Sequence, residues 1–399
     1  MDGKIYNEIE ALRPLLQQWR RELHQIPECG LHLPMTREFV TTHLDDMGIS
    51  YETFEGHSGV VAVIGADTGR TIAIRADMDA LPIQEENEVP YMSKLEGRMH
   101  ACGHDAHTAI LLGTASILKK YENELNGRIK LVFQPAEELP PGGAIVMRDE
   151  GVLDNPKVDA ILGIHMNRLV DGTHNGNFVL KTGSFMSADD VIKLKIIGKG
   201  GHASEPDHCV DPIVVACNCV VGLQQIVSRS VNPNHAAVIS ITDFHAGTGT
   251  DNVIPGEVRI LGTIRNSNEE TRENIRRRFK EVIDGITKAM GASYELELIP
   301  DYPVLSNDEK ITDMVRHSIK ELYGEQEIVE EPACSMGGDD FAFFTQVVPG
   351  CYFTLMADKA AQDGMVYPAH HPKFDIDDTV LDRGVAVFVR TALDLLEQE

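Results

Sequence analysis

The stretch Arg128-Ile129-Lys130-Leu131-Val132-Phe133-Gln134-Pro135-Ala136-Glu137-Glu138 reads as a strand, residues 128–133, that stops at a proline and delivers two adjacent carboxylates. Proline cannot continue a central ladder, and it restricts the residue before it to extended backbone, so the turn is tightly set. Neighbouring carboxylates repel at neutral pH unless a cation or a proton intervenes. Two more apolar segments behave in the same way. Residues 71–76 run into Asp77 and Asp79, and residues 159–164 run into His165. In an open parallel sheet, ligands bind outside the carboxyl ends of the strands, so these three ends should meet at one crevice.

Outward from these strands, the first half alternates strand and helix patterns. Residues 59–65 are apolar and β-rich. Residues 104–121 carry Ile110, Leu111, Ala115 and Leu118 on one helical face, and a helix is expected near 143–150. This rhythm predicts an α/β fold with a doubly wound, mostly parallel sheet. From about Asp189 the rhythm changes. Strands at 191–197, 236–242, 257–263 and 293–299 and helices at 211–230 and 268–290 fall in the order β-α-β-β-α-β, the ferredoxin-like pattern. We therefore expect a catalytic domain formed by residues 1–187 and 301–399, interrupted by an inserted α+β domain at 188–300. Helices at 308–323, 339–346 and 377–397 around a short strand at 351–355 complete the first domain.

The formal charge of -26 excludes phosphate-backbone binding, which needs clustered Lys and Arg, and it disfavours an anionic membrane surface. No nucleic acid or membrane partner is expected. Residues 5–24 are interrupted by charges and do not resemble an export signal, and no apolar run is long enough to span a bilayer. Seven cysteines without dense spacing fit a reducing cytoplasm.

The loop His100-Ala101-Cys102-Gly103-His104-Asp105 adds a thiol and imidazoles just ahead of a helix, and His370-His371-Pro372 adds imidazoles late in the chain. Thiolate, imidazole and carboxylate together suit Zn²⁺ or a similar divalent ion. There is no paired Cys-x-x-Cys and no His-Glu-x-x-His helix, so the pattern is that of a catalytic site scattered over strand ends. One of Glu137 and Glu138 would hold metal while the other moves protons. A cysteine hydrolase using Cys102 as nucleophile and His104 as base is a rival, though residues two apart in a loop rarely give attack geometry. A non-catalytic metal or amino-acid binding protein is a second. As bare sequence, Gly198–His202 is a flexible turn without a phosphate-loop pattern, Asn252 is a turn residue and Arg265 a surface charge.

Taken together, these motifs resemble the dinuclear metallo-aminoacylase and carboxypeptidase family. The branch is that of hippurate hydrolase, auxin-conjugate amidohydrolases, N-acetyldiaminopimelate deacetylase and N-acyl amino acid deacetylases. The resemblance runs almost end to end. It is carried by Trp19–His24, Arg75–Pro82, Met99–Asp105, Phe133–Glu138, Gly163–His165, Gly198–Ala203, Asn252–Pro255 and Ser335–Phe341. It implies two divalent ions per subunit (Zn²⁺, Mn²⁺, Co²⁺ or Ni²⁺) held by Cys102, His104, Glu138, His165 and His371, with Cys102 able to bridge. It implies Glu137 as general base and then acid, Asp79 orienting a ligand, His202 stabilising the oxyanion, and Asn252 and Arg265 holding the substrate carboxylate. The substrate would be an N-acyl amino acid or a dipeptide-like amide. The inserted domain would serve as lid and dimerisation element in a homodimer or homotetramer. Pro140-Pro141, Gly338-Asp339 and the long segment 358–368 depart from the family pattern and bear on specificity at the pocket rim.

Overall fold

The computed structural model describes residues 3–166 and 173–398. Two compact units emerge. One comprises Met1–Gly183, Ser306–Pro332 and Asp340–Glu399, and the other comprises Ser184–Leu305 with Ala333–Asp339.

The first unit is built on an eight-stranded sheet. Its order is Tyr51–Thr53, Val60–Gly65, Gly127–Gln134, Arg70–Asp77, Ala160–Met166, Gly350–Leu355, Phe178–Leu180 and Ile328–Glu330. The centre is parallel, with Arg70–Asp77 flanked by Gly127–Gln134 and Ala160–Met166, and Gly350–Leu355 following in the same sense. Antiparallel pairing enters on both sides, at Val60–Gly65 and between Gly350–Leu355 and Phe178–Leu180, so the sheet is mixed. Parallel neighbours need a crossover of a dozen or more residues. The short 66–69 connection cannot supply one, so Val60–Gly65 runs antiparallel, one strand removed from Arg70–Asp77.

Strand alternation gives the sheet two buried faces. Ile72, Ile74, Ile129, Leu131, Phe133, Leu162, Ile164 and Phe353 join one core with helices His104–Lys120 and Leu381–Leu396. Ala73, Val132, Ile161 and Tyr352 point the other way and are also buried. There the short helices Gly143–Asp149 and Ala342–Thr345 pack on the sheet and on each other. Helices on both faces are the doubly wound arrangement. The helix expected at 339–346 is only one turn long, because Asp340 is drawn into a buried ion pair with Arg75.

In the second unit, four antiparallel strands are ordered Ala237–Ala246, Glu257–Asn266, Ala188–Ile197, Ser293–Pro300. This is the ferredoxin-like order. Helices Pro212–Ser230 and Glu269–Ala289 pack on it through Val215, Cys219, Leu223, Ile226, Ile275, Phe279 and Ile283. Both helices start on side-chain caps, Asp211 accepting from Ile213 N and Asn268 from Thr271 N. The sequence predicts no membrane-length apolar run, yet Pro212–Ser230 is long and apolar enough to cross a membrane by length and composition. The apolar excess arises because one side of the helix forms the core of this unit while Val214 and Val221 remain exposed on the other.

Candidate metal centre

Three neighbouring strands of the first unit end side by side. Asp77 pairs in register with Gln134, and Arg75 with both Val132 and Gly163, two residues before His165. Past Gln134 the chain turns sharply. Ala136 adopts φ +58°, and its carbonyl accepts the Gly143 amide at 3.0 Å. A Cβ on Gly143 would lie 1.8 Å from the Pro135 oxygen, so only glycine closes this turn. The turn aims Glu137 and Glu138 at the crevice. It is held from across by Asp79, whose Oδ1 accepts the Glu137 amide at 2.8 Å and whose Oδ2 accepts the Glu138 amide at 3.0 Å.

Cys102 and His104 arrive from the loop before the long buried helix. Gly103 takes φ +93°, and a Cβ there would come within 3.2 Å of Met166. Donor atoms of Cys102, His104 and His165 lie within 4.8 Å of one another, and so do those of Cys102, Glu138 and His370. The two groups share Cys102. A third, His104, Glu137 and Glu138, overlaps them. His104 Nδ1 donates to the Asp79 carbonyl at 2.9 Å. Its buried Nε2 has no hydrogen-bond partner among the described residues, and lies 3.8 Å from Glu137 and 3.9 Å from Glu138.

The carboxylates dominate the electrostatics of the site. Burial first, then the carboxylates of Glu138 and Glu137, push the Cys102 thiol well above its ordinary range. Burial works against protonating His104, but Asp77, Asp79 and Glu138 override it and raise the imidazole to about 10. Burial likewise opposes ionisation of Glu138, yet His370 and His104 hold its carboxyl below the usual range. A thiol, two glutamates and an imidazole nitrogen without a partner, all turned inward, fit divalent cations by donor chemistry and by charge. They fit a cysteine nucleophile poorly, because reactive cysteines sit in electropositive surroundings.

The two adjacent imidazoles late in the chain are placed differently from each other. His371 is the expected ligand, but the structure brings His370 to Glu138, Nε2 to Oε1 at 3.2 Å. His370 has φ +67°, and its amide donates to the Ala101 carbonyl at 2.7 Å. His371 instead stacks on Tyr367 with ring centroids 4.1 Å apart, and its Nδ1 accepts the Lys373 amide. The physical reason is local. The residue before a proline is biased to extended backbone, so the left-handed turn falls on His370.

Supporting residues lay outside the sequence expectations. His107 is buried against Asp77, and its Nε2 accepts the Met166 amide at 2.7 Å, next to His165. Burial raises the Asp77 carboxyl, but Arg75, His104 and His107 outweigh it and hold it well below the usual range. Arg75 also bonds Gln134 at 2.8 Å and Asp340 at 2.7 Å. His24, without chemical context in the sequence, is buried with Asp105 and Glu85 at 2.6 and 3.3 Å.

The remaining three predicted residues belong to the second unit. His202 is exposed on a short ladder with Val253, next to Asn252, and its Nδ1 lies 2.7 Å from Ser204 Oγ. Arg265 stands on a separate sheet, paired with Asp189 at 2.8 Å.

Residues 73–394 match peptidase family M20/M25/M40. The chain belongs to that family. It is 39% identical to N-acetyl-L-cysteine deacetylase of Bacillus subtilis over 95% of this chain and 87% of that protein. It is 36% identical to thermostable carboxypeptidase 2 of Saccharolobus solfataricus over 98% of both. A solved structure described as a dinuclear metal-binding peptidase of the M20 family, from Bacillus subtilis, superposes with a TM-score of 0.83 at 33% identity, covering 98% of this chain and 99% of that one. As an M20 family member the protein is a hydrolase of amide bonds.

Proposed function

We propose that this M20 hydrolase releases a free amino acid and a carboxylic acid from N-acyl amino acids, acting through a two-cation centre. The observation that carries this is the pair of overlapping donor groups, Cys102/His104/His165 and Cys102/Glu138/His370, with Glu137 at their edge. Divalent cations held by these groups would supply Lewis-acid polarisation of the scissile carbonyl and would lower the pKa of a water.

The chain's own residues do the rest. Asp79 fixes the backbone from which both glutamates project. Glu137, only 7% exposed, accepts the proton of the attacking water on its carboxylate and returns it to the leaving amine. His202 as oxyanion donor, and Asn252 and Arg265 as holders of the substrate carboxylate, enter as parts of the same proposal. The chemistry of those side chains and the family likeness support them. Zn²⁺ or Mn²⁺ as the native ion, a homodimer and a cytoplasmic setting extend the proposal.

The test is a hydrolysis screen of N-acetyl, benzoyl, succinyl and indole-acetyl amino acids, with Zn²⁺, Mn²⁺, Co²⁺ and Ni²⁺ supplied separately. Turnover of at least one acyl class is expected. Cleavage of dipeptides alone would replace this reading with a carboxypeptidase or dipeptidase, the activity named for the archaeal relative.

A further inference from the structure

Arg20 is a fully buried cation far in sequence from every predicted ligand. It stands on helix Arg13–His24, and its guanidinium spans two buried carboxylates. Nε lies 2.9 Å from Asp105 as an ion-pair contact without hydrogen-bond geometry, and Nη2 donates to Asp375 at 3.0 Å. Asp105 directly follows His104, and Asp375 lies on the segment that follows His370. One planar fork thus joins the Cys102–Asp105 loop to the His370 loop. The same two loops are also joined by a backbone bond, from the His370 amide to the Ala101 carbonyl at 2.7 Å.

Both carboxylates keep partners of their own. Asp105 retains His24 and the Ala106 amide. Asp375 retains Tyr91 at 2.7 Å and Lys359 at 2.6 Å. Each loop therefore keeps partners of its own without Arg20, and what Arg20 adds is a side-chain tie between the two that supplements the His370–Ala101 bond. That tie matters unequally. Cys102, His104 and His165 come from one loop and a strand end of the same sheet edge, whereas the group Cys102, Glu138 and His370 is completed only by the distant loop.

Resting on the two-cation reading above, we propose that Arg20 is a positioning residue that sets the affinity of the second cation, the one completed by His370, and leaves the first nearly untouched. A lysine keeps the charge but lacks the planar fork that reaches two carboxylates at once.

The experiment is equilibrium dialysis of the metal-free full chain against Co²⁺, with the thiolate-to-cobalt absorption of Cys102 recorded alongside. Wild type should bind two ions. Arg20→Lys should weaken the second by about 10–100-fold, the range for lost outer hydrogen bonds to a metal site. It should move the first by less than about threefold and keep the thiolate band. Asp375→Asn, which cuts the other end of the bridge, should give the same selective loss. Arg21→Gln, which removes the neighbouring surface pair with Asp378, should leave both constants unchanged. Two ions bound by Arg20→Lys and Asp375→Asn with wild-type constants would overturn the inference, as would both constants falling together with Tm. Fewer than two ions in wild type would overturn the two-cation reading and this inference with it.

Discussion

The Asp79 carboxylate accepts the backbone amide of Glu137, Oδ1 to N at 2.8 Å, and with its other oxygen the amide of Glu138. Two adjacent acidic side chains are thus held by a third acid through their backbone. The arrangement tolerates the left-handed Ala136 just before them. Asp79→Asn keeps one acceptor but turns an N–H₂ group towards a backbone donor, and an unsatisfied buried donor costs about 1–3 kcal/mol. We expect a lower Tm and a kcat reduced about 10–100-fold, with KM changing far less. Steady-state kinetics on the best acyl substrate checks this.

His370 and His371 should separate cleanly. His370→Ala removes a donor from the group with Cys102 and Glu138, so the bound-metal count should fall towards one per chain. His371→Ala removes a stack on Tyr367 and the acceptor of the Lys373 amide, neither of them in the donor groups, and should retain two. Metal analysis after dialysis reads both. The opposite outcome would return the ligand role to His371.

Glu137→Gln keeps the size of the side chain and removes its basicity. Metal content should be unchanged, while kcat drops by about 10²–10⁴-fold, the range for a lost general base. Unchanged turnover would mean that the proton goes elsewhere.

Much of this was legible because the chemistry sits at strand ends. Apolar runs ending in Asp77 and Asp79, in Glu137-Glu138 and in His165 announced both the parallel centre of the sheet and the crevice. What stayed hidden depends on backbone dihedrals or on long-range pairing. Nothing in His370-His371-Pro372 shows which ring turns inward until the left-handed φ of His370 is known. Arg20, Arg75, His24 and His107 look like ordinary helix or strand residues, and their roles appear only when Asp105, Asp375, Asp340 and Asp77 arrive from distant segments. The antiparallel edges escaped notice because strand direction follows connection length rather than apolar content.

A pH effect is expected in the second unit. Asp301 is buried, its Oδ1 has no hydrogen-bond partner among the described residues, and burial followed by Asp189 raises its carboxyl to about 6. The folded chain therefore keeps this proton up to about pH 6, whereas the unfolded chain releases it near 3.8. Stability contributed by the protonated form is present at low pH and is lost as pH rises from about 4 to 6. Asp301→Asn should stabilise at pH 7.5 by roughly 1 kcal/mol or more, since one pKa unit corresponds to about 1.4 kcal/mol. It should do nothing at pH 4. Thermal melts at the two pH values check the sign.

The most direct measurement strips the purified chain with a chelator, confirms by elemental analysis that no metal remains, and then follows N-acyl amino acid hydrolysis as a divalent ion is returned. The predicted result is loss of activity on stripping and recovery that is complete at two ions per chain. Hydrolysis that persists at full rate in the metal-free protein would contradict the account.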